Sequence, residues 1–148
     1  VGAGTVLTTE HVDKALAAGA EFIVTPGFDG ELVQYCQEKG IAIFPGCTTP
    51  TDYHAAYKFG LEVLKFFPAE PSGGLKMIKA LAAPYVNVRF MPTGGIGPGN
   101  VREYLAYNKI FACGGSWMVK GDMVAAGEFD KIKEMTAEAV ALVKNIRG

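Results

Sequence analysis

The strongest constraint on the fold is a short apolar run that ends in proline and recurs along the chain. Four runs share this form: Phe22–Pro26, Ile41–Pro45, Val63–Pro68 and Val88–Pro92. Proline has no N–H group for a sheet ladder and its φ angle is fixed, so it suits the end of a strand better than its interior. The four runs are therefore predicted to be β-strands, each followed by a turn.

Two further strands and a series of helices are predicted around these runs. The opening residues 2–6 and the run Ile110–Cys113 have the same apolar character. Cap residues, closing glycines and apolar spacing predict helices over residues 8–19, 29–40, 49–60, 74–81, 98–107 and 128–146, with a short turn at 123–126. Strand and helix therefore alternate throughout the chain.

This alternation predicts an α/β fold with a parallel sheet and right-handed crossovers. Strands that are apolar on both faces fit an open doubly wound sheet and a closed barrel equally well. Glycine, proline and threonine cluster after the strands, which favours the (β/α)8 TIM barrel, because its βα loops build the site. Such a barrel has eight units and about six are counted, so residues 1–148 are predicted to be a single domain that holds the last six units and lacks the first two.

Composition narrows the classes of partner. The formal net charge is −1, which gives no basic surplus for nucleic acid, and no apolar run is long enough to span a membrane. The three cysteines, Cys36, Cys47 and Cys113, are widely spaced and fit reduced thiols in a cytoplasmic protein better than a disulfide framework. The chain has no CxxC or HExxH motif and only two histidines, so a structural zinc site is not expected.

Lys65 is the strongest candidate for a catalytic residue. It lies inside the predicted strand Val63–Pro68, where its neighbours are apolar on both faces. Burial disfavours the ammonium form and lowers the pKa of a lysine, which makes the amine nucleophilic toward a carbonyl. A structural role at the rim of the strand is the alternative. Glu70, five residues later, is interpreted as a solvated loop carboxylate rather than an acid–base group.

The last two predicted strands both end in glycine-rich segments. These are Pro92-Thr93-Gly94-Gly95 and Gly114-Gly115-Ser116-Trp117. Glycine allows backbone N–H groups to approach an anion closely, and the phosphate site of many barrels lies after strands seven and eight. We call the anion site predicted from these two loops the glycine cup; ordinary turn glycines are the alternative.

Five segments of the chain, VGAGTVLT, FIVTPG, LKFFPAE, MPTGGI and GGSWMV, occur in this order along its length. Together they resemble the class I aldolases that act on 2-keto-3-deoxy-6-phosphogluconate and 4-hydroxy-2-oxoglutarate. The resemblance implies cleavage of the phosphorylated 2-keto acid to pyruvate and glyceraldehyde 3-phosphate in the Entner–Doudoroff pathway. It also implies a homotrimer that needs no cofactor.

The same resemblance assigns roles to individual residues. Lys65 corresponds to the Schiff-base lysine of the family. The positions that line the substrate pocket in the family correspond to Thr5, Pro26 (through its carbonyl group), Phe67 and Thr93, and those of the phosphate loops to Gly94, Gly95 and Ser116. The family's proton-shuttling glutamate and its assisting arginine belong to a strand expected before Val1, so neither is assigned to this sequence.

Three alternatives stay open at this point. The first is the same chemistry on 4-hydroxy-2-oxoglutarate or 2-keto-3-deoxy-6-phosphogalactonate. The second is a phosphate-binding barrel isomerase that forms no imine. The third is a non-catalytic scaffold, or one part of a split barrel with open sheet edges that tend to associate.

Overall fold

The structure is a computed structural model that describes residues 1–148, in which short strands alternate with helices. The elements are β1 (Gly2–Ala3), α1 (Thr9–Ala17), β2 (Phe22–Val24), α2 (Gly30–Glu38), β3 (Ala42–Phe44), β4 (Gly46–Cys47), α3 (Pro50–Lys58), β5 (Val63–Phe66), α4 (Gly74–Ala82), β6 (Arg89–Pro92), α5 (Val101–Ala106), α6 (Gly121–Ala125) and α7 (Phe129–Arg147). No helix combines the length and the apolar character that crossing a membrane requires.

All paired strands are parallel and follow one another in chain order. Strands β1, β2 and β3 form one sheet, and β4, β5 and β6 form a second. The Lys65 N–H donates to the Pro45 carbonyl over 3.0 Å and links the second sheet to the segment between β3 and β4. The predicted α/β fold with parallel strands is therefore confirmed.

The predicted strands differ from the observed ones at three places. The run that ends at Pro45 does not end there, because pairing resumes after the proline as β4. The opening strand is limited to Gly2–Ala3. Residues 110–114 form no continuous strand, and their backbone pairs with neighbouring segments only through the isolated bridges Phe90–Ile110 and Thr93–Gly114. This last segment pairs on one side only, so fewer ladder hydrogen bonds hold it extended.

A ring contact joins β3 to the segment that follows β6. The rings of Phe44 on β3 and Phe111 in the last segment stack with centroids 6.3 Å apart. Strand β4 begins two residues after β3 ends, and β5 and β6 separate β4 from the last segment. Three strand spacings in a flat sheet would amount to roughly 14 Å. Curvature brings the two rings together, and Arg89 lies over the ring of Phe111.

The helix termini follow the predicted signals. Thr49 and Asp52 form a capping box at the start of α3, where Pro50 occupies the first turn. The Asp29 carboxylate accepts from the backbone N–H groups of Glu31 and Leu32 at the start of α2. Glycines in the left-handed conformation follow the first three helices, as predicted, and these are Gly19, Gly40 and Gly60.

The core consists of two clusters between the strands and the helices. The larger cluster joins β5 and β6 to α3, α4 and α5 around Tyr53, Phe66 and Phe90. The smaller joins the first sheet to α1 and α2 around Val12 and Ile23. Helix α7 has no fully buried residue, and Arg147 near its end donates to the carbonyls of residues 105, 110 and 111. In β5 the neighbours of Lys65, Leu64 and Phe66, are both fully buried in the larger cluster.

Candidate active site

Lys65 lies in the middle of the second sheet with only 9% of its surface exposed. In the register of this sheet it is flanked by Gly46 on β4 and Met91 on β6. Its Nζ atom lies 4.3 Å from the centroid of the Phe67 ring, and no carboxylate forms an ion pair with it. The strongest candidate of the sequence is therefore a buried amine with no anionic partner.

Burial lowers the pKa of the Lys65 ammonium from its usual value. The physical cause is the loss of hydration, which the charged ammonium needs more than the neutral amine does. The face of the Phe67 ring opposes this effect in part, because its quadrupole attracts a cation. The net direction favours the neutral amine, which is the form that attacks a carbonyl.

The two glycine-rich segments meet in one cavity beside Lys65. This cavity of about 240 Å³ is lined by Phe67, Thr93, Gly94, Gly95, Ile96, Gly114, Gly115 and Ser116. None of these lining residues carries an acidic side chain, so the cavity suits an anion. Phe67 contributes to the lining and also contacts the Lys65 amine, so the glycine cup and the amine adjoin through one side chain.

The glycines of the cup occupy positions that a larger residue could not fill without strain. Gly94 and Gly95 have φ angles of 95° and 81°, a region that L side chains rarely adopt. A Cβ atom on Gly95 would lie 2.7 Å from the Cβ atom of Glu70. A Cβ atom on Gly115 would lie 2.0 Å from the Trp117 ring. The side chains of Glu70 and Trp117 therefore occupy the space next to these glycines, which contribute only backbone atoms to the cup.

Thr93 places an unsatisfied hydroxyl at the edge of the cup. Its Oγ1 atom is buried and has no hydrogen-bond partner within the protein. Such a group loses its hydration without compensation, which costs about 1–3 kcal/mol. Because Thr93 also lines the cavity, a bound ligand with a polar atom at this place would satisfy the hydroxyl.

The Pro26 carbonyl oxygen reaches the same face of the sheet as the Lys65 side chain. A Cβ atom on Gly46 would lie only 2.0 Å from this oxygen. Gly46 and Lys65 are paired in register, and paired residues of neighbouring strands project to one face. The absence of a side chain at Gly46 therefore makes room for the carbonyl next to the lysine.

The structure does not bring every predicted site residue into the glycine cup. Thr5 is exposed just after β1, and it is not among the residues that line the cavity. Ser116 lines the cavity and is itself exposed. The cavity thus unites Phe67, Thr93, Gly94, Gly95 and Ser116, while Pro26 approaches from the side of Lys65.

Sequence reasoning missed two residues that shape the site. Gly46 follows the predicted strand Ile41–Pro45 and carries no sequence signal of its own, although it makes room for the Pro26 carbonyl. Thr48 donates its hydroxyl to the Phe67 carbonyl over 2.6 Å and so fixes the segment that follows Lys65. No local pattern marks either role, since both depend on segments that the fold brings together.

Comparison with known proteins gives the family. The chain matches the model of the KDPG and KHG aldolase family over residues 1–135. It is 48% identical over 143 residues to the 2-dehydro-3-deoxy-phosphogluconate aldolase of Treponema pallidum, which covers 97% of this chain and 68% of that protein. It is 43% identical over 140 residues to the KHG/KDPG aldolase of Escherichia coli K12, covering 95% of this chain and 66% of the relative.

Solved structures agree with this assignment. The KDPG aldolase of Legionella pneumophila, with pyruvate captured as a covalent carbinolamine, superposes with a TM-score of 0.87 at 33% identity over 99% of this chain and 68% of the other. The 2-keto-3-deoxy-6-phosphogluconate aldolase of Zymomonas mobilis ZM4 with 3-phosphoglycerate gives a TM-score of 0.79 at 42% identity, covering 82% of this chain. The chain spans 58% of the length of that Zymomonas protein and about two thirds of the length of the Treponema and Escherichia relatives. On these matches, the chain belongs to the KDPG and KHG aldolase family.

Proposed function

We propose that the chain carries the Schiff-base lysine and the phosphate site of a class I aldolase. This enzyme would cleave 2-keto-3-deoxy-6-phosphogluconate to pyruvate and glyceraldehyde 3-phosphate. The observation that carries the proposal is the buried, unpaired amine of Lys65 beside a cavity lined by glycine backbone. The carbinolamine in the Legionella relative is a covalent adduct of pyruvate, the product expected from this reaction.

The geometry supports the following sequence of steps. The neutral amine of Lys65 attacks the C2 ketone and gives a carbinolamine, which loses water to form a protonated imine. The iminium withdraws the electron pair of the C3–C4 bond while a base removes the C4 hydroxyl proton. The aldehyde leaves, the enamine takes a proton at C3, and hydrolysis of the imine releases pyruvate and the free amine.

The remaining site residues have roles that fit these steps. We assign Thr93, with its unsatisfied hydroxyl, and the Pro26 carbonyl to the polar atoms of the pyruvate portion. Gly94, Gly95 and Ser116 hold the phosphate group at a distance from the bond that breaks. Such remote binding energy orients the substrate against the amine. Thr5, exposed after β1, is assigned to the carboxylate region on the resemblance alone.

The proposal includes an architecture and an assembly. We infer a (β/α)8 barrel of which residues 1–148 form six units of a single domain, because the parallel strands run in chain order and curve around one interior. The family resemblance adds a cytoplasmic homotrimer in the Entner–Doudoroff pathway. Light scattering on the purified protein measures the molar mass of the assembly. A mass that differs from that of three chains would contradict the homotrimer.

Trapping with borohydride tests the proposed chemistry. Incubation with pyruvate followed by borohydride reduces the imine to a stable secondary amine, and peptide mass spectrometry locates the added group. We expect the adduct on Lys65 and none on the exposed Lys58, which serves as the internal control. An adduct on another lysine would exclude Lys65 as the nucleophile, and the absence of any adduct would leave a phosphate-binding protein without imine chemistry. Turnover measured on the phosphogluconate, phosphogalactonate and unphosphorylated 2-keto acids then ranks the substrates.

A further inference from the structure

The loop after β6 has its carbonyl groups occupied by donors behind the glycine cup. The Thr93 carbonyl accepts from the Ala69 N–H over 2.8 Å, and the Gly94 carbonyl accepts from the Glu70 N–H over 3.1 Å. The Gly95 carbonyl accepts from the side-chain amide of Asn100 over 3.0 Å. Three successive carbonyls of one side of the cup are therefore fixed by the protein itself.

These three bonds determine where the N–H groups of the loop point. In a trans peptide the carbonyl and the following N–H point in opposite directions. The N–H groups of Gly94, Gly95 and Ile96 therefore point away from the donors behind the loop, and none of them donates to a protein acceptor. All three residues line the cavity, so a row of three free donors faces an anion in the cup.

Asn100 is the only side chain among the three donors. Its Oδ1 atom accepts from the Gly97 N–H over 2.9 Å, and this bond fixes the orientation of the amide, because an N–H group requires an oxygen opposite it. Its Nδ2 atom is thereby directed at the Gly95 carbonyl. The other two donors are backbone N–H groups, which only proline would remove and at the cost of a fixed φ angle. Asn100 is therefore the place at which a side-chain substitution removes one donor from the loop.

We propose that Asn100 is a positioning residue for the phosphate group of the substrate, which acts through the Gly95 carbonyl to aim the Ile96 N–H into the glycine cup. The residue does not touch the ligand. It holds the peptide between Gly95 and Ile96 in the one orientation that presents a donor to the anion. This inference rests on the proposed function and extends it to the residue that sets phosphate affinity.

The test compares Asn100→Ala with Asn108→Ala. Asn108 is exposed, lies beyond α5 and makes no side-chain hydrogen bond, so it is a matched control for removal of one amide. We expect Asn100→Ala to weaken the binding of inorganic phosphate and to raise KM for the phosphorylated 2-keto acid by about tenfold to a hundredfold, the range of one lost hydrogen bond to a charged group. Trapping of pyruvate on Lys65 is expected to be unchanged in both variants.

This split separates the inference from the proposed function. If the wild-type chain traps no pyruvate, the proposed function fails whatever Asn100 does. If pyruvate is trapped and phosphate binding is equal in wild type and Asn100→Ala, or weakened equally by Asn108→Ala, the role of Asn100 is overturned. If the role of Asn100 were purely structural, Asn100→Ala would lower the midpoint of thermal unfolding and would reduce both phosphate binding and pyruvate trapping. That result also counts against the proposal.

A measurement on the unmodified protein keeps the proposal testable if Asn100→Ala does not fold. Amide NMR on the deuterated protein, which also suits the proposed trimer, observes the N–H groups of the loop directly. Titration with inorganic phosphate is expected to shift the N–H resonances of Gly94, Gly95 and Ile96 well beyond those of Gly97 and Gly99. Saturation with phosphate that leaves these three resonances in place would exclude the proposed donors.

Discussion

The Lys65 amine lies 4.3 Å above the centroid of the Phe67 ring, and this contact places two opposing effects on one group. Burial lowers the pKa of the ammonium, whereas the face of the ring stabilises the cation. Side chains 65 and 67 project to the same side of the chain because they are two residues apart. The spacing of this pair therefore couples the nucleophile to the cavity that Phe67 lines.

The rate of pyruvate trapping is predicted to rise with pH through the pKa of Lys65. Only the neutral amine attacks the ketone, and burial lowers the pKa below 10.5, the usual value for lysine. The midpoint of the rise should therefore lie below 10.5, as measured by initial rates of adduct formation across a pH series. A midpoint at or above that value would show that the amine is solvated in the working protein.

Replacing Lys65 with methionine is predicted to stabilise the fold near neutral pH while abolishing the adduct. The folded-state pKa is lower than the unfolded one, so the unfolded chain binds more protons between the two values. Charged Lys65 therefore destabilises the fold fully below its folded-state pKa, and this cost disappears as the pH rises from there toward 10.5. Urea unfolding at several pH values should show the advantage of Lys65→Met narrowing over this window. Lys58→Met, which alters an exposed lysine, should show no such trend.

Substituting valine for Thr93 is predicted to separate stability from activity. Valine keeps the shape of threonine and removes a buried hydroxyl that has no partner. The free energy of unfolding should rise by about 1–3 kcal/mol, because the cost of the unsatisfied hydroxyl is removed. The value of kcat/KM should fall if the hydroxyl binds substrate. Thr93→Ser restores the hydroxyl, so a serine variant as inactive as the valine variant would contradict a binding role.

The parts of the site that could be predicted from sequence are those marked by local chemistry. Lys65 stands out because an apolar strand surrounds it, and the glycine cup because two strands end in adjacent glycines. The capping box at Thr49 and Asp52 is likewise contained in four consecutive residues. In each case the residues that carry the signal are neighbours in the chain, so spacing alone reveals their relation.

The parts that could not be predicted depend on contacts between distant segments. Pro26 and Gly46 are separated by helix α2 and strand β3, and only folding brings the carbonyl of one against the bare Cα atom of the other. Glu70 was interpreted as a solvated carboxylate; it is exposed, yet it accepts a hydrogen bond from the buried hydroxyl of Tyr104 on α5. The break in pairing at Pro45 also depends on the neighbouring strands, since the residues on both sides of it favour extended structure.

Alanine at Gly95 is predicted to reduce phosphate binding and to destabilise the chain while leaving pyruvate trapping on Lys65 in place. The φ angle of 81° alone costs a residue with a Cβ atom about 1–2 kcal/mol. The added atom would also lie 2.7 Å from the Cβ atom of Glu70, so the loop must shift and turn its N–H groups from the anion. Gly99→Ala is the matched control, because a Cβ atom there meets nothing within 4 Å. Calorimetric titration with inorganic phosphate and thermal unfolding of both variants measure the two effects, and unchanged phosphate affinity in Gly95→Ala would mean that the anion binds outside the glycine cup.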